Sequence, residues 1–228
     1  NENFSRELLE LHTMGVTAPY TEQDVKELAR ALTGWREEWN NPANFYPGYP
    51  GFRYQDGRHD YLGPKTVLGQ VLNAPPGMGI EDGLAGVALA ARHPSTATFI
   101  CTKLVRRFVH ERPPYLLVER CAATFLAAQD DADQLAQVTA LILESREFQL
   151  FPDARRSKVK RPVHLYPSLL RAVGANPDPG VTNYQSIRQT VADLGERIRN
   201  ADPPTGYPDD SVVWASPGGL VQRFNLTE

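Results

Sequence analysis

Hydrophobic residues near the start of the chain recur with the period of an α-helix. Phe4, Leu8 and Leu11 stand at i, i+4 and i+7, which predicts a first helix with these side chains on its apolar face. Thr21 suits the N-cap of a second helix because Asp24 follows three residues later, as in a capping box. The apolar stripe predicted for this second helix comprises Val25, Leu28, Ala29, Leu32 and Trp35.

The helical period is lost between residues 36 and 80, where proline, glycine and aromatic residues are dense. Asp56-Gly57 suits a two-residue turn, which predicts a short hairpin with strands at 52–55 and 58–61. A connection this long inside a compact domain is usually either functional or disordered. Its aromatic content predicts that residues 36–80 form an ordered loop insertion.

Helical patterns return after Gly79 and continue almost to the end of the chain. Apolar stripes predict helices at 81–92, 94–108, 117–125, 135–142, 159–173 and 187–198, followed by a short helix that ends near Asn225. The predicted fold is therefore mainly α. It is a multi-helix bundle that forms a single helical domain over 1–228 and carries at most a small β-hairpin within 36–80.

Composition excludes several classes of protein. Apolar residues make up 41% of the chain and charged residues 22%, too balanced for a disordered polyelectrolyte. No apolar run approaches the roughly 20 residues that span a bilayer. The formal net charge of −3 argues against a nucleic-acid partner. The first residue is Asn1 and a helical pattern is already present there, so we expect a piece of a longer protein.

The chain has two cysteines, Cys101 and Cys121, on the apolar faces of consecutive predicted helices. They are equidistant from the turn near Glu111, so a disulfide between them is geometrically conceivable. The sequence favours the alternative, two small buried thiols in the core. No cysteine or histidine spacing predicts a metal site, and no cofactor motif is present.

The first predicted helix carries a cluster of polar side chains. Asn3, Glu7 and Glu10 fall within about 60° of one another around the helix axis, so two carboxylates and an amide share one face. Such a face suits acid and base chemistry or a bound cation. The alternative is a solvated edge, in which Glu2, Arg6 and Glu10 form i, i+4 ion pairs.

A second polar cluster, His59-Asp60, ends the predicted hairpin, and Lys65 follows five residues later. A histidine beside an acid on an ordered loop suits proton transfer. Adjacent residues of a strand point to opposite faces, however, so these two side chains need not act together. The alternative is a turn-capping aspartate beside a histidine with satisfied hydrogen bonds.

Motifs with many polar residues are spread over nearly the whole chain. They are residues 1–12, Tyr20-Thr21, Ala29 with Leu32-Thr33-Gly34-Trp35, Arg58-His59-Asp60, Lys65-Thr66-Val67-Leu68-Gly69, His93-Pro94, Lys103-Leu104, Arg107-Phe108, 157–162, Gly206-Tyr207-Pro208-Asp209, Trp214 and Arg223-Phe224-Asn225. In this order they resemble the bacterial family called domain of unknown function 1800.

The resemblance implies a largely helical, exported protein of the periplasm, the cell surface or the extracellular space. The family domain is about twice as long as this chain, which would then be its C-terminal half, consistent with ordinary domain sizes. Genes of the family often neighbour those of a second exported family, domain of unknown function 1501, which implies a partner protein. The family brings no settled reaction, so the resemblance assigns no catalytic residue.

Two functions remain open for the sequence. In the first, the protein is a non-catalytic cell-envelope or extracellular component that acts with a partner protein, and its polar motif residues form a buried network that clamps the loop onto the helices. In the second, it hydrolyses a carbohydrate-like envelope substrate, with Glu7, Glu10, His59 and Asp60 meeting as acid and base. The candidate binding residues are Asn3, Arg6, Lys65, Trp35, Trp39, Tyr207 and Trp214.

Overall fold

The fold is that of a computed structural model, which describes residues 1–150, 158–175, 184–203, 205–208 and 210–227. Ser157 and Asp209, which contribute to the family resemblance, lie outside the described residues. The helices are α1 Glu2–Glu7, α2 Glu22–Ala31, α3 Ile80–Arg92, α4 Pro94–Phe108, α5 Tyr115–Ala127, α6 Gln134–Glu144, α7 Arg146–Gln149, α8 Pro162–Ala172, α9 Tyr184–Asp193 and α10 Pro217–Phe224. The strands are β1 Trp35–Glu37, β2 Phe52–Tyr54, β3 Lys65–Val67 and β4 Gln70–Leu72. The predicted mainly α fold is confirmed. The helix predicted over 187–198 ends at Asp193, because Gly195 adopts a φ of +95° that terminates it, and the helix predicted from 159 begins at Pro162.

The chain divides into two compact units. The first unit comprises Asn1–Val105 with Pro114–Ser145, and the second comprises Arg106–Pro113 with Arg146–Glu228. A single helical domain over 1–228, forming half of a longer domain, stays a prediction. Within the described residues, no helix combines the length and hydrophobicity that a membrane crossing needs.

The start of α2 is the capping box that the sequence predicts. The Thr21 hydroxyl accepts from the Asp24 amide at 3.1 Å, and an Asp24 carboxylate oxygen accepts from the Thr21 amide at 2.7 Å. The helix ends at Ala31, earlier than its stripe suggests, because Gly34 adopts a φ of +87° that turns the chain out of the helix. Trp35, predicted as the end of the helical stripe, therefore lies on β1.

The buried face of the first helix differs from the predicted one. Phe4 is 53% exposed, whereas Leu9 and Met14 belong to the core. A π-helical turn over Leu8–His12 follows α1, and the Met14 amide donates to the Leu9 carbonyl five residues back. Leu8 and Leu11 are half-buried, and Leu8 packs against this core, so the predicted stripe fails at Phe4 alone. Because a π turn holds more residues than an α turn, a stripe counted with the α period also misses Leu9 and Met14.

The segment between α2 and α3 contains two small antiparallel sheets rather than the predicted single hairpin. The strand at 52–54 forms, but it pairs with β1, because residues 56–58 make a 3₁₀ turn instead of a hairpin turn. The second sheet pairs β3 with β4 through Leu68-Gly69. Both turn residues have positive φ, 48° and 78°, as a type I′ turn requires. Leucine seldom adopts this conformation, so the sequence does not predict this turn.

Cys101 on α4 and Cys121 on α5 are joined by a disulfide, with their Cα atoms 5.7 Å apart. Both side chains are fully buried, as the sequence predicts. The favoured expectation of two free thiols is wrong. Their equal distance from the inter-helix turn places them level with each other, and the helices approach closely enough for the bond to form.

Reducing this disulfide is expected to lower the free energy of unfolding by about 3 kcal/mol, because the bond restricts an unfolded loop with a sequence separation of 20 residues. The measurement is urea denaturation of protein refolded with and without dithiothreitol. The Cys101→Ala/Cys121→Ala variant serves as the control, since reductant should leave its midpoint unchanged. A wild-type midpoint equally insensitive to reductant would contradict the bond.

Candidate functional site

Three ionisable side chains meet inside the first unit. Asp82 lies in the first turn of α3, Lys65 begins β3, and His59 follows the 3₁₀ turn at 56–58. One oxygen of Asp82 accepts from Lys65 Nζ at 2.8 Å and lies 3.3 Å from His59 Nε2. The side chains of His59, Lys65 and Asp82 are only 0%, 1% and 4% exposed. We call these three residues the buried cluster.

The Asp82 carboxylate is stabilised by the groups that surround it. Its other oxygen accepts from the Ala74 amide at 2.8 Å, so backbone and side chains both donate to it. Burial alone would raise the pKa of Asp82, but the hydrogen bonds from Lys65 and Ala74 outweigh burial and hold it below its ordinary value. The position in the first turn of a helix adds the favourable end of the helix dipole.

His59 is enclosed by groups on its other side. Its Nδ1 lies 3.0 Å from the Thr33 carbonyl oxygen, and the Tyr61 ring packs edge-on with the centroids 4.8 Å apart. A Cβ atom on Gly79 would overlap the imidazole ring, so only glycine permits α3 to begin this close to the histidine. His59 therefore connects the loop, the residues that follow α2 and the start of α3, without an exposed face for a substrate.

Asp60 points away from this cluster, as alternation along an extended chain predicts. It accepts from Arg30 Nε at 2.8 Å, and Arg30 also donates to Glu27 and to the Leu62 carbonyl, both at 2.8 Å. The Asp60 amide donates to the Thr33 hydroxyl at 2.7 Å. The Arg30 guanidinium lowers the pKa of Asp60 to about 2. Asp60 thus fastens the loop to α2.

A third polar group in the loop, formed by Tyr54, Asp56 and Tyr61, is not predicted from the sequence. The hydroxyls of Tyr54 and Tyr61 both donate to Asp56, and the Tyr61 hydroxyl accepts from the amides of Gly77 and Gly79 at 3.1 and 3.0 Å. These bonds join β2, the 3₁₀ turn and the start of α3. The sequence predicts a hairpin turn at Asp56-Gly57, and a turn aspartate is not expected to accept hydrogen bonds from two tyrosines.

The acidic residues of the first helix lie elsewhere. Glu7 is exposed, and Glu10 lies 3.7 Å from Arg6, which also pairs with Glu22 at 2.5 Å. Burial and a hydrogen bond to Glu10 raise the pKa of Tyr20 to about 12. The arrangement matches the alternative of a solvated edge with i, i+4 pairing.

The expected meeting of the two polar clusters is not seen. Among the described residues, no hydrogen bond or ion pair joins Glu7 or Glu10 to His59 or Asp60. Asn3 is exposed and lines a shallow groove beside Arg30.

The aromatic binding candidates of the first unit occupy different environments. Trp35 packs edge-on against Phe52 with a centroid distance of 5.1 Å, and it covers Gly83, where a Cβ atom would lie 2.7 Å from the indole. Trp39 is 72% exposed and rests on Gly51. Trp35 therefore contributes to packing, while Trp39 is available to a partner.

The two aromatic candidates of the second unit, Tyr207 and Trp214, contact each other and lie beside the guanidinium of Arg161. The ring centroids lie 5.7 and 5.5 Å from Arg161 Cζ, within the range of cation–π attraction. Arg161 also donates to the buried Glu196. Glu196 was not singled out in the sequence, because its partner lies 35 residues away and leaves no local pattern.

The described residues contain no group of three or more histidine, cysteine, aspartate and glutamate side chains placed to hold a metal ion. The geometry is that of a mainly α-helical protein with a polar core cluster that binds a loop to its helices. Over residues 1–228 the chain matches the family described as "Protein of unknown function (DUF1800)", and it belongs to that family. No curated protein and no solved structure matches the chain.

Replacing Asp82 by asparagine is expected to lower the free energy of unfolding by about 3–5 kcal/mol, because the Lys65 charge is then buried without a counterion. Urea denaturation at pH 7 measures the loss. The matched control is Asp130→Asn, which removes the exposed pair with Arg92 and should cost less than about 1 kcal/mol. The Asp82→Asn/Lys65→Met variant should lose less than Asp82→Asn alone, and equal losses in all three would contradict the buried cluster.

Acid is expected to weaken the attachment of the loop through Asp60. The ordinary pKa of this carboxyl is 3.8 and its folded value is about 2, so its contribution to stability is present above about pH 4 and is lost progressively as the pH falls from about 4 to about 2. Thermal unfolding midpoints between pH 6 and 2.5 measure the effect. The Asp60→Asn variant should start lower at pH 6 and fall less steeply, and parallel curves for the two proteins would be the contrary result.

Proposed function

We propose that this protein is a non-catalytic exported component of the cell envelope or extracellular space that acts by binding a partner protein. The observation that carries the proposal is the burial of His59 and Lys65 on Asp82. Both are candidate site residues, and both are used to hold the loop in place. An acid–base catalyst needs its reactive groups within reach of a substrate, and these side chains have almost no exposed surface.

Export is supported by the bond between Cys101 and Cys121. Structural disulfides persist in oxidising compartments such as the periplasm and the extracellular space, and they are rare in the bacterial cytosol. This bond joins two helices of the core of the first unit, where it serves packing rather than a redox reaction.

The partner surface is proposed to be the aromatic part of the loop. Trp39 is 72% exposed and Tyr49 is 63% exposed, and large aromatic side chains are enriched at the centres of protein interfaces. Tyr46 connects Tyr49 to the interior, with centroid distances of 6.1 Å to Tyr49 and 5.7 Å to Phe52. A surface supported in this way loses little conformational entropy when a partner binds.

The proposed partner is an exported protein of the family called domain of unknown function 1501. The choice rests on the family resemblance, since genes of the two families often lie side by side. The hydrolase alternative has weaker support. His59 is enclosed, and Asp60 is held by Arg30 as a carboxylate of low pKa. Neither is arranged to donate or accept a proton at a substrate.

The test is the affinity of the purified protein for an exported protein of the family called domain of unknown function 1501, measured by isothermal titration calorimetry. Trp39→Ala and Tyr49→Ala are each expected to weaken binding at least tenfold, because both remove exposed aromatic area from the proposed contact. Tyr115→Ala is the matched control, since Tyr115 is a 71% exposed aromatic residue on α5.

Absence of binding by the wild type would overturn the proposal, as would an equal loss of affinity in Tyr115→Ala. The enzymatic alternative has its own readout. Hydrolysis of an envelope polysaccharide by the wild type that is lost in Glu7→Gln would favour a hydrolase over a binding component.

A further inference from the structure

A polar groove in the second unit is lined by three arginines. Arg188 lies on α9, and Arg197 and Arg199 lie on the segment 194–200 that follows it. The groove has a volume of about 930 Å³. All three side chains are exposed, and within the described parts of the chain no carboxylate lies within ion-pair distance of any of their guanidinium groups. We call this feature the arginine groove.

The segment 194–200 is held in place by a buried carboxylate. Glu196 is 3% exposed and accepts from Arg161 Nε at 3.1 Å and from the Val163 amide at 2.9 Å. These bonds attach the segment to the start of α8. Since Arg161 is bound to Glu196 and lies beside the rings of Tyr207 and Trp214, its charge is used within the fold rather than in the groove.

A tyrosine hydroxyl fixes the next residue of the segment. Tyr207 Oη accepts from the Arg197 amide at 2.6 Å and donates to the Arg197 carbonyl at 3.1 Å. Arg199 has a φ of +59°, a left-handed conformation that is uncommon for arginine and persists only where surrounding contacts determine it. The backbone that carries Arg197 and Arg199 is therefore positioned before any ligand binds.

The chemistry of the groove selects a ligand with several oxyanion groups. A guanidinium forms paired hydrogen bonds with a carboxylate or a phosphate, and three of them suit more than one such group. Amide side chains of Gln189 and Asn200 also line the groove and can bond to hydroxyls. The volume lies within the range of sites for small organic ligands and far exceeds that of one phosphate ion.

Nucleic acids are a poorer match, because none of the described residues lining the groove is aromatic and bases bind single-strand sites by stacking. We propose that the arginine groove binds an acidic oligosaccharide, with sugar carboxylates on Arg188, Arg197 and Arg199. The proposal goes beyond binding of a partner protein. It uses residues of the second unit, so its failure would leave the proposal for Trp39 and Tyr49 untouched.

The experiment titrates the full chain with trigalacturonate in 50 mM salt by isothermal titration calorimetry. Arg188→Gln, Arg197→Gln and Arg199→Gln are each expected to weaken binding at least tenfold, because each removes one guanidinium from the groove. Arg197→Lys should be intermediate, since lysine keeps the charge and loses the paired donors. Arg58→Gln is the matched control, as Arg58 is an exposed arginine of the first unit.

Tyr207→Phe tests the positioning of Arg197. The variant keeps the ring beside Arg161 and removes the hydroxyl, so affinity should fall more in the wild-type background than in the Arg197→Gln background, where only the effect on Arg199 remains. A merely structural role for the hydroxyl would lower affinity equally in both backgrounds.

Maltotriose, inorganic phosphate and a single-stranded oligonucleotide are the comparison probes. Weaker binding of all three than of trigalacturonate supports the proposal. Equal or tighter binding of maltotriose, of inorganic phosphate or of the oligonucleotide overturns it. The same conclusion follows if Arg58→Gln loses as much affinity as the groove variants, or if the wild type does not bind trigalacturonate.

Discussion

The position of the loop in the first unit depends on one electrostatic constraint. A charge removed from water must be compensated by partners of opposite charge and by hydrogen bonds, or the fold loses several kilocalories per mole. Asp82 meets this requirement only when β3 brings Lys65 to 2.8 Å and residue 74 presents its amide. The buried cluster therefore fixes the position of the loop against α3. His59 also fixes the loop against the residues that follow α2, through the Thr33 carbonyl.

The second unit satisfies the same constraint with different residues. Glu196 accepts from the Arg161 guanidinium and from the Val163 amide, just as Asp82 accepts from an ammonium group and from a backbone amide. Each buried carboxylate so joins a helix terminus to an irregular segment. Such pairs add little net stability compared with apolar packing. Their contribution is to specify one relative position of the two segments that they connect.

Local signals in the sequence predict much of the helical framework. The capping box of Thr21 and Asp24 and the later helices arise from contacts within a few residues, and these predictions are confirmed, apart from the end of α9. The failures share a cause. The pairing of β2 with β1 and the π turn that follows α1 depend on tertiary contacts, which the local sequence does not show. Asp82 resembles any acid in the first turn of a helix, because Lys65 lies 17 residues away.

In this fold the buried polar residues stabilise the structure, so the exposed polar residues are the better candidates for binding. Polar residues in sequence motifs suggest a catalytic or binding site. Here His59, Lys65 and Asp60 instead attach the loop to the helices through ion pairs and hydrogen bonds. The accessible side chains of Arg197 and Arg199 are carried by a segment that the buried Glu196 attaches to α8. Ordering a segment in advance removes an entropic cost from binding. In the arginine groove, the buried Glu196 is committed to the fold through Arg161 and the Val163 amide, so the ordering of the segment 194–200 does not draw on the proposed ligand.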